Sequence, residues 1–430
     1  MNGSPVFALV GLAVIGLLAT RLAWPRGRPG PSVALLVSAG APLVVLGIAL
    51  GPGIDLLSPP ALRTLAPVTA LAIGWFGAAL GARFEWRQLR RIPPGAWGIA
   101  LVSAAAALVV AALALGLAGR VVAPLGAAWV PRLPALLAVA AVAAVSGPGA
   151  VALAARLVGI ERRVARRFTR AAVLETACGA LALSVPLALH RPHPPAASPL
   201  LGWVTWSAGT VAGGALVSGM YLGLARLRPV AAEWGFVLVA TLLFGAGLAD
   251  AADLSPFLVC GLAAALLVNV APHGRVLRRV LADGERPLYA AFLVLLGASL
   301  TWPVPVVLVA VPLVAALRIV AKWASVRYVG AALRLTRVPS HLGLATVAQG
   351  GSALALGLSF ARTFGGPASA GSGAVLATVV LGVGVAQLAA PPLLQVAARA
   401  ARAARAAPVP LTRGSASAEL RPDASADRSA

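Results

Sequence analysis

The sequence is short of charge. Only 11% of its 430 residues are charged, and 60% are hydrophobic, whereas soluble domains carry about 25% charged residues. A soluble fold would have to expose far too much of this apolar surface. Acids are especially few: 12 Asp and Glu stand against 35 Lys and Arg, for a net charge of +23. Such a charge on one soluble domain would point to nucleic acid. Here the basic residues lie in short clusters between apolar runs, which is a membrane topology signal, and nucleic acid is excluded as a partner. The two cysteines, Cys178 and Cys260, both fall inside apolar runs, so neither a disulfide framework nor a metal knuckle is expected. His190, His193, His273 and His341 lie in or near loops without metal spacing; no metal or cofactor is implied. No Ser/His, paired-Asp or His-Glu-x-x-His constellation occurs, which argues against an enzyme. The run from Pro5 to Thr20 lacks a basic leader and a small-residue cleavage site, and reads as a retained first helix.

What is present is a succession of apolar stretches, each long enough to cross a hydrocarbon core of about 30 Å. They predict an all-α polytopic membrane protein with about thirteen spans, at 4–20, 33–51, 62–81, 96–118, 133–155, 168–189, 200–225, 234–250, 255–271, 287–301, 304–326, 341–360 and 372–397. Alternate loops are rich in arginine: 21–28, 83–91, 156–170, 226–228, 275–286, 327–337 and the tail after 398. The intervening loops hold only Arg63, Arg120, Arg132, Arg191 and Arg362. This asymmetry predicts an external N-terminus and a cytoplasmic C-terminus in the cell membrane. The expected division is 1–32 as first helix and loop, 33–400 as the transmembrane domain, and 401–430 as a disordered cytoplasmic tail whose arginines touch anionic lipid.

Two spans are interrupted in matching ways. Span five contains Ser146-Gly147-Pro148-Gly149-Ala150-Val151, and span twelve contains Gln349-Gly350-Gly351-Ser352-Ala353-Leu354. They are seven spans apart and so run in opposite directions. Paired breaks in inverted halves point to a transporter's midplane site, because freed backbone groups are tolerated in a bilayer only where they line a cavity or bind something. The blander alternative is close helix packing by small residues.

Ionisable residues inside spans are few and usually functional. Glu175, in span six, is a candidate to take up and release a proton. Its structural alternative is an interfacial acid paired with Arg167 or Arg170. Arg318 and Lys322 share one face of span eleven. Lys322 is the only lysine, and a buried lysine can give up its proton where arginine does not; its alternative is to snorkel to the cytoplasmic edge. Asp250 and Asp253 read as a solvated helix end at the external side of span eight.

These features together resemble the cation:proton antiporter superfamily, the sodium/proton exchangers. Val145-Ser146-Gly147-Pro148 resembles its Thr-Asp-Pro break, with Ser for Thr and Gly for Asp. Val158-Gly159-Ile160-Glu161-Arg162-Arg163 resembles its short basic connection. Glu175-Thr176-Ala177-Cys178-Gly179-Ala180 resembles its Glu-Ser-x-x-Asn-Asp helix, with Gly179-Ala180 at the Asn-Asp place. Gly245 to Asn269, Phe292 to Leu300, the basic pair Arg318 and Lys322, and Gln349-Gly350-Gly351 follow the family order. The resemblance covers roughly residues 30 to 398. It implies inverted repeats with two crossing discontinuous helices, a homodimer, and exchange of protons for monovalent cations by alternating access. It places proton and ion binding at Glu175, Ser146, Gly147, Thr176, Gln349 and Gly350, with charge balance from Arg318 and Lys322. Gly147 and Ala180 stand where the family has its two ion-binding aspartates. The site is therefore atypical, and two other readings stay open: a degenerate, non-transporting sensor or assembly protein, and an anion or small-solute transporter.

Overall fold

The computed structural model describes residues 30–406, apart from 93, 123–132, 190–198, 228–232, 272–273, 302–304, 333–340 and 365–369. The expected first span at 4–20 and the tail beyond Ala406 lie outside the described residues. Among the described residues all regular structure is helical. In chain order the helices are α1 (Pro31–Ser38), α2 (Ala41–Ile48, with a π turn Ala49–Gly53), α3 (Pro59–Thr64), α4 (Ala66–Gly81), α5 (Trp86–Leu89), α6 (Pro94–Val122), α7 (Leu133–Ala144), α8 (Pro148–Leu157), α9 (Arg162–Leu189), α10 (Pro199–Arg226), α11 (Trp234–Ala251), α12 (Pro256–Val270), α13 (Gly274–Ala298), α14 (Pro305–Ala332), α15 (Leu342–Ala345), α16 (Gly351–Thr363) and α17 (Ala370–Ala406).

Five of these (α6, α9, α10, α11 and α17) are long and apolar enough to cross a membrane, and seven spans result if each bent pair is counted as one. The bent pairs are α1 with α2, at 53°, and α7 with α8, at 41°. Gly40 makes the first bend. Its φ of +87° favours glycine, and a Cβ there would overlap Leu293 at 2.1 Å.

Helices approach closely where side chains are smallest. A Cβ on Gly77 of α4 would lie 1.9 Å from the Phe257 carbonyl of α12, and one on Gly47 of α2 would lie 2.2 Å from the Val294 carbonyl of α13. Lipid tails are as apolar as the helices, so small residues that let backbones touch take over from hydrophobic burial as the source of packing.

The largest differences from the sequence reading are at α13 and α17. α13 begins at Gly274, not near 287, and carries Pro287 inside it. Its charged first half is amphipathic: Leu277 and Leu281, one turn apart, are buried, and the Trp75 indole donates to the Leu281 carbonyl at 3.1 Å. α17 continues through Ala406: alanine is the best helix former, and Ala397, Ala398 and Ala401 are buried; residues 401–406 are thus helical where a tail was expected.

Candidate functional site: the crossing of two broken helices

Local chemistry dictates both breaks. Proline at the start of α8 disfavours helical backbone in the residue before it, and Gly147 is extended, with φ −74° and ψ 107°. At the second break Gly350 is extended as well, and residues 347–350 carry no helix. The two interruptions touch. The Gly147 N–H donates to the Ala348 carbonyl at 2.9 Å. A Cβ on Gly147 would stand 2.7 Å from the Gly350 nitrogen and 2.9 Å from the Gln349 carbonyl carbon. No side chain fits at 147 unless the strands part.

The freed carbonyls are buried and must find donors within the protein. Arg318 takes three of them. Its Nε donates to Ala143 at 2.6 Å, Nη2 to Val145 at 2.8 Å and Nη1 to Val347 at 2.8 Å. One guanidinium thus caps the ends of both α7 and α15, where helix dipoles place partial negative charge. Gln349 Nε2 donates to Val142 and Val145 at 2.8 and 3.3 Å. Gln387 of α17 donates through Nε2 to the Gln349 carbonyl. The Thr176 hydroxyl donates to the Ser146 carbonyl, with the Ala172 carbonyl as a second acceptor at 2.6 Å.

Beside this clamp lies a buried ion pair. Lys322 Nζ is 2.6 Å from Glu175 Oε2, and the two side chains are 0% and 2% exposed. The Ser146 hydroxyl accepts from Lys322 Nζ at 2.6 Å. It lies 2.5 Å from Glu175 Oε2 and 2.6 Å from the Thr346 carbonyl, and its single proton serves one of the two. Thr346 Oγ1 donates to Glu175 Oε1 at 3.1 Å. The ammonium is therefore buried against two oxygens, one of the Glu175 carboxylate and the Ser146 hydroxyl, while the Thr346 hydroxyl holds the other carboxylate oxygen.

The structure decides between the alternatives for each charge. Glu175 pairs with Lys322, not with Arg167 or Arg170, and it is buried at 2% exposure. Lys322 does not snorkel; it is fully buried. Ser146, Gly147, Thr176, Gln349, Gly350, Arg318 and Lys322 all meet at the crossing, but not in one layer. Thr176 and Gln349 hold carbonyls of the breaks and do not bond Glu175, and Arg318 serves the breaks only. Thr346 and Gln387 were missed. Each is a lone polar residue in an apolar run, a signal to which the reading of breaks and charges gave no weight. Ala180 is buried at 3% exposure. A Cβ on neighbouring Gly179 would stand 2.5 Å from Val145.

The chain has relatives among known proteins. The family model described as "Sodium/hydrogen exchanger, transmembrane" matches residues 38–396. The chain belongs to the sodium/hydrogen exchanger family. The family's members are transporters, not enzymes, and this exchanger-family chain is a multi-pass membrane protein. A search of curated proteins finds no match. Among solved structures, the sodium proton antiporter MjNhaP1 from Methanocaldococcus jannaschii at pH 8 superposes with a TM-score of 0.63 at 14% identity, covering 92% of this chain and 100% of that one. An electron-microscopy structure of the same antiporter gives 0.61 at 15% identity, covering 94% and 98%. At such identities the likeness establishes the antiporter fold.

Proposed function

We propose that this exchanger-family protein is a secondary transporter that exchanges a monovalent cation for a proton at the crossing, with Glu175 as the binding acid and Lys322 as its internal competitor. The observation that carries the reading is the position of the Lys322 ammonium. It is fully buried against one carboxylate oxygen and one hydroxyl oxygen, and oxygen is the ligand that hard cations take. When Lys322 holds its proton, it fills the site. When it gives the proton up and withdraws, Glu175, Ser146 and Thr346 are left to a cation. Thr176, Gln349, Gln387 and Arg318 keep the two breaks in register. Alternating access would then be movement of the body that carries α7 to α9 and α14 to α16 against the rest, around this fixed site. The arginine pattern of the loops supports an external N-terminus, a cytoplasmic C-terminus and the cell membrane. The family resemblance supports a homodimer.

A second reading rests on charge. The crossing holds two cations, Arg318 and Lys322, against one acid, which favours an anionic substrate over a cationic one. One assay decides. The protein is reconstituted in vesicles with a pH dye, a proton gradient is imposed, and sodium, potassium or lithium salts are added. Cation-dependent dequenching that vanishes in Glu175→Gln supports exchange. Dequenching that follows the anion supports the second reading. Silence toward every salt refutes both and leaves a degenerate, non-transporting member.

A further inference from the structure

α16 leaves the crossing at Gly351 and ends at Thr363, and its far end is tied down by a second polar cluster. Arg362 Nη2 donates to both carboxylate oxygens of Asp250, at 2.8 and 3.0 Å. Its Nη1 donates to the Ala66 carbonyl at 3.1 Å. Asp250 lies in the last turn of α11, and Ala66 opens α4. Neither helix belongs to a break. One turn nearer the crossing, the Ser359 hydroxyl lies 3.0 Å from that of Ser255, the residue capping α12. Beside these bonds is a recess of about 240 Å³, lined by Ile73, Asp250, Asp253, Pro256, Ser359 and Arg362 among others. The Trp206 indole holds the Asp253 carbonyl at 3.3 Å, which fixes the turn on its rim.

We propose that Arg362 and Asp250 form a gate latch, and that the recess behind it becomes the mouth of the ion path when the latch opens. In the orientation given above this is the external face. The argument is mechanical. α16 is a continuous rod whose inner end is part of the crossing. Any displacement of the crossing relative to α4, α11 and α12 must break the three Arg362 bonds and then the Ser255–Ser359 bond. The latch is also of suitable strength. Its side chains are 19% and 41% exposed, so water and salt screen the pair and it shifts an equilibrium by roughly two- to fivefold. It biases the gate shut without locking it. Opening withdraws the guanidinium and leaves Asp250 and Asp253 facing the recess, which draws cations toward it.

The latch rests on the transport reading only for what passes through it; the opening itself is measured without transport. Ile73 lines the recess and is fully buried, so Ile73→Cys reports opening. With Cys178 and Cys260 replaced by serine and alanine, the reconstituted protein is labelled with a membrane-impermeant maleimide added to either face. Labelling is expected only from the face on which α16 ends. It should rise two- to fivefold in Asp250→Asn and in Arg362→Gln, and return to the starting rate in the charge swap Asp250→Arg with Arg362→Asp. It should also rise with salt in the unaltered latch, a measurement that needs no latch variant to fold. Rates that ignore salt and substitution, or labelling from the opposite face, overturn the latch. Should labelling respond as expected while no cation is exchanged, the transport reading fails and the latch stands.

Discussion

Removing Lys322 isolates the acid on which the proposed chemistry depends. In Lys322→Met the apolar chain is kept and the ammonium is lost, so Glu175 stays at 2% exposure with hydroxyls from Ser146 and Thr346 but no cation. Leaving one member of a buried ion pair unpaired destabilises by about 3–5 kcal/mol. Glu175→Gln strands the ammonium instead and should cost a similar amount. The double variant buries neither charge. Replacing a whole pair by neutral groups is commonly close to energetically neutral, so the double should lose far less than the two singles together, with a coupling energy of about 3 kcal/mol or more. Unfolding of the detergent-solubilised protein, followed through its ten tryptophans, measures all three variants. The proposed exchange adds a sharper expectation. A free cation should take the vacated position in Lys322→Met and restore stability with its concentration, by about 2.7 kcal/mol at one hundred times its dissociation constant. Wild type should respond less, because the cation must first displace the ammonium. Choline chloride at equal ionic strength is the control. Additive single variants, or a Lys322→Met protein that no alkali cation stabilises, would refute the reasoning.

Other expectations follow from the same geometry. Arg318→Met takes the guanidinium from the Ala143 and Val347 carbonyls and leaves Val145 with only the longer Gln349 bond, and should lose about 3 kcal/mol of stability; Arg318→Lys should recover only part of it, since an ammonium lacks the planar fork that reaches Ala143, Val145 and Val347 together. Gly147→Ala places a methyl 2.7 Å from the Gly350 nitrogen; it should cost about 1–3 kcal/mol in melting experiments and cut the exchange rate by more than it changes the apparent cation affinity. In the proposed cycle Glu175 always faces one positive charge, ammonium or metal, while Arg318 keeps its own. Exchange should then be one for one and indifferent to an imposed membrane potential. A net charge moved per cycle would instead feel about 2.3 kcal/mol per 100 mV, and a steep response in potassium–valinomycin vesicles would refute the count.

The breaks were open to sequence reasoning because proline and glycine act locally: Pro148 constrains Gly147 whatever surrounds it, and Gly350-Gly351 interrupts an otherwise uniform apolar run. The isolated charges Glu175, Arg318 and Lys322 stood out for the same reason, each alone among aliphatic neighbours. What local reading missed was depth and pairing. The charged first half of α13 looks like a loop if charge alone is counted, although the four-residue spacing of Leu277 and Leu281 already marks a buried stripe. Glu175 looks interfacial when its nearest cations in sequence, Arg167 and Arg170, are taken as partners, yet its partner in space is Lys322.

The pairing was nonetheless within reach of a physical elimination. A buried carboxylate needs a cation from inside the protein, and the interiors of the predicted spans offer only Arg318 and Lys322. Two broken helices leave several carbonyls converging from different directions. A planar fork with separated donors can satisfy three of them at once, while a single ammonium nitrogen cannot. Arginine therefore belongs to the breaks, and lysine, by default, to the acid. The same division fits the proposed chemistry: the cation that must hold the crossing together is the one that does not release its proton, and the cation that must come and go is the one that can.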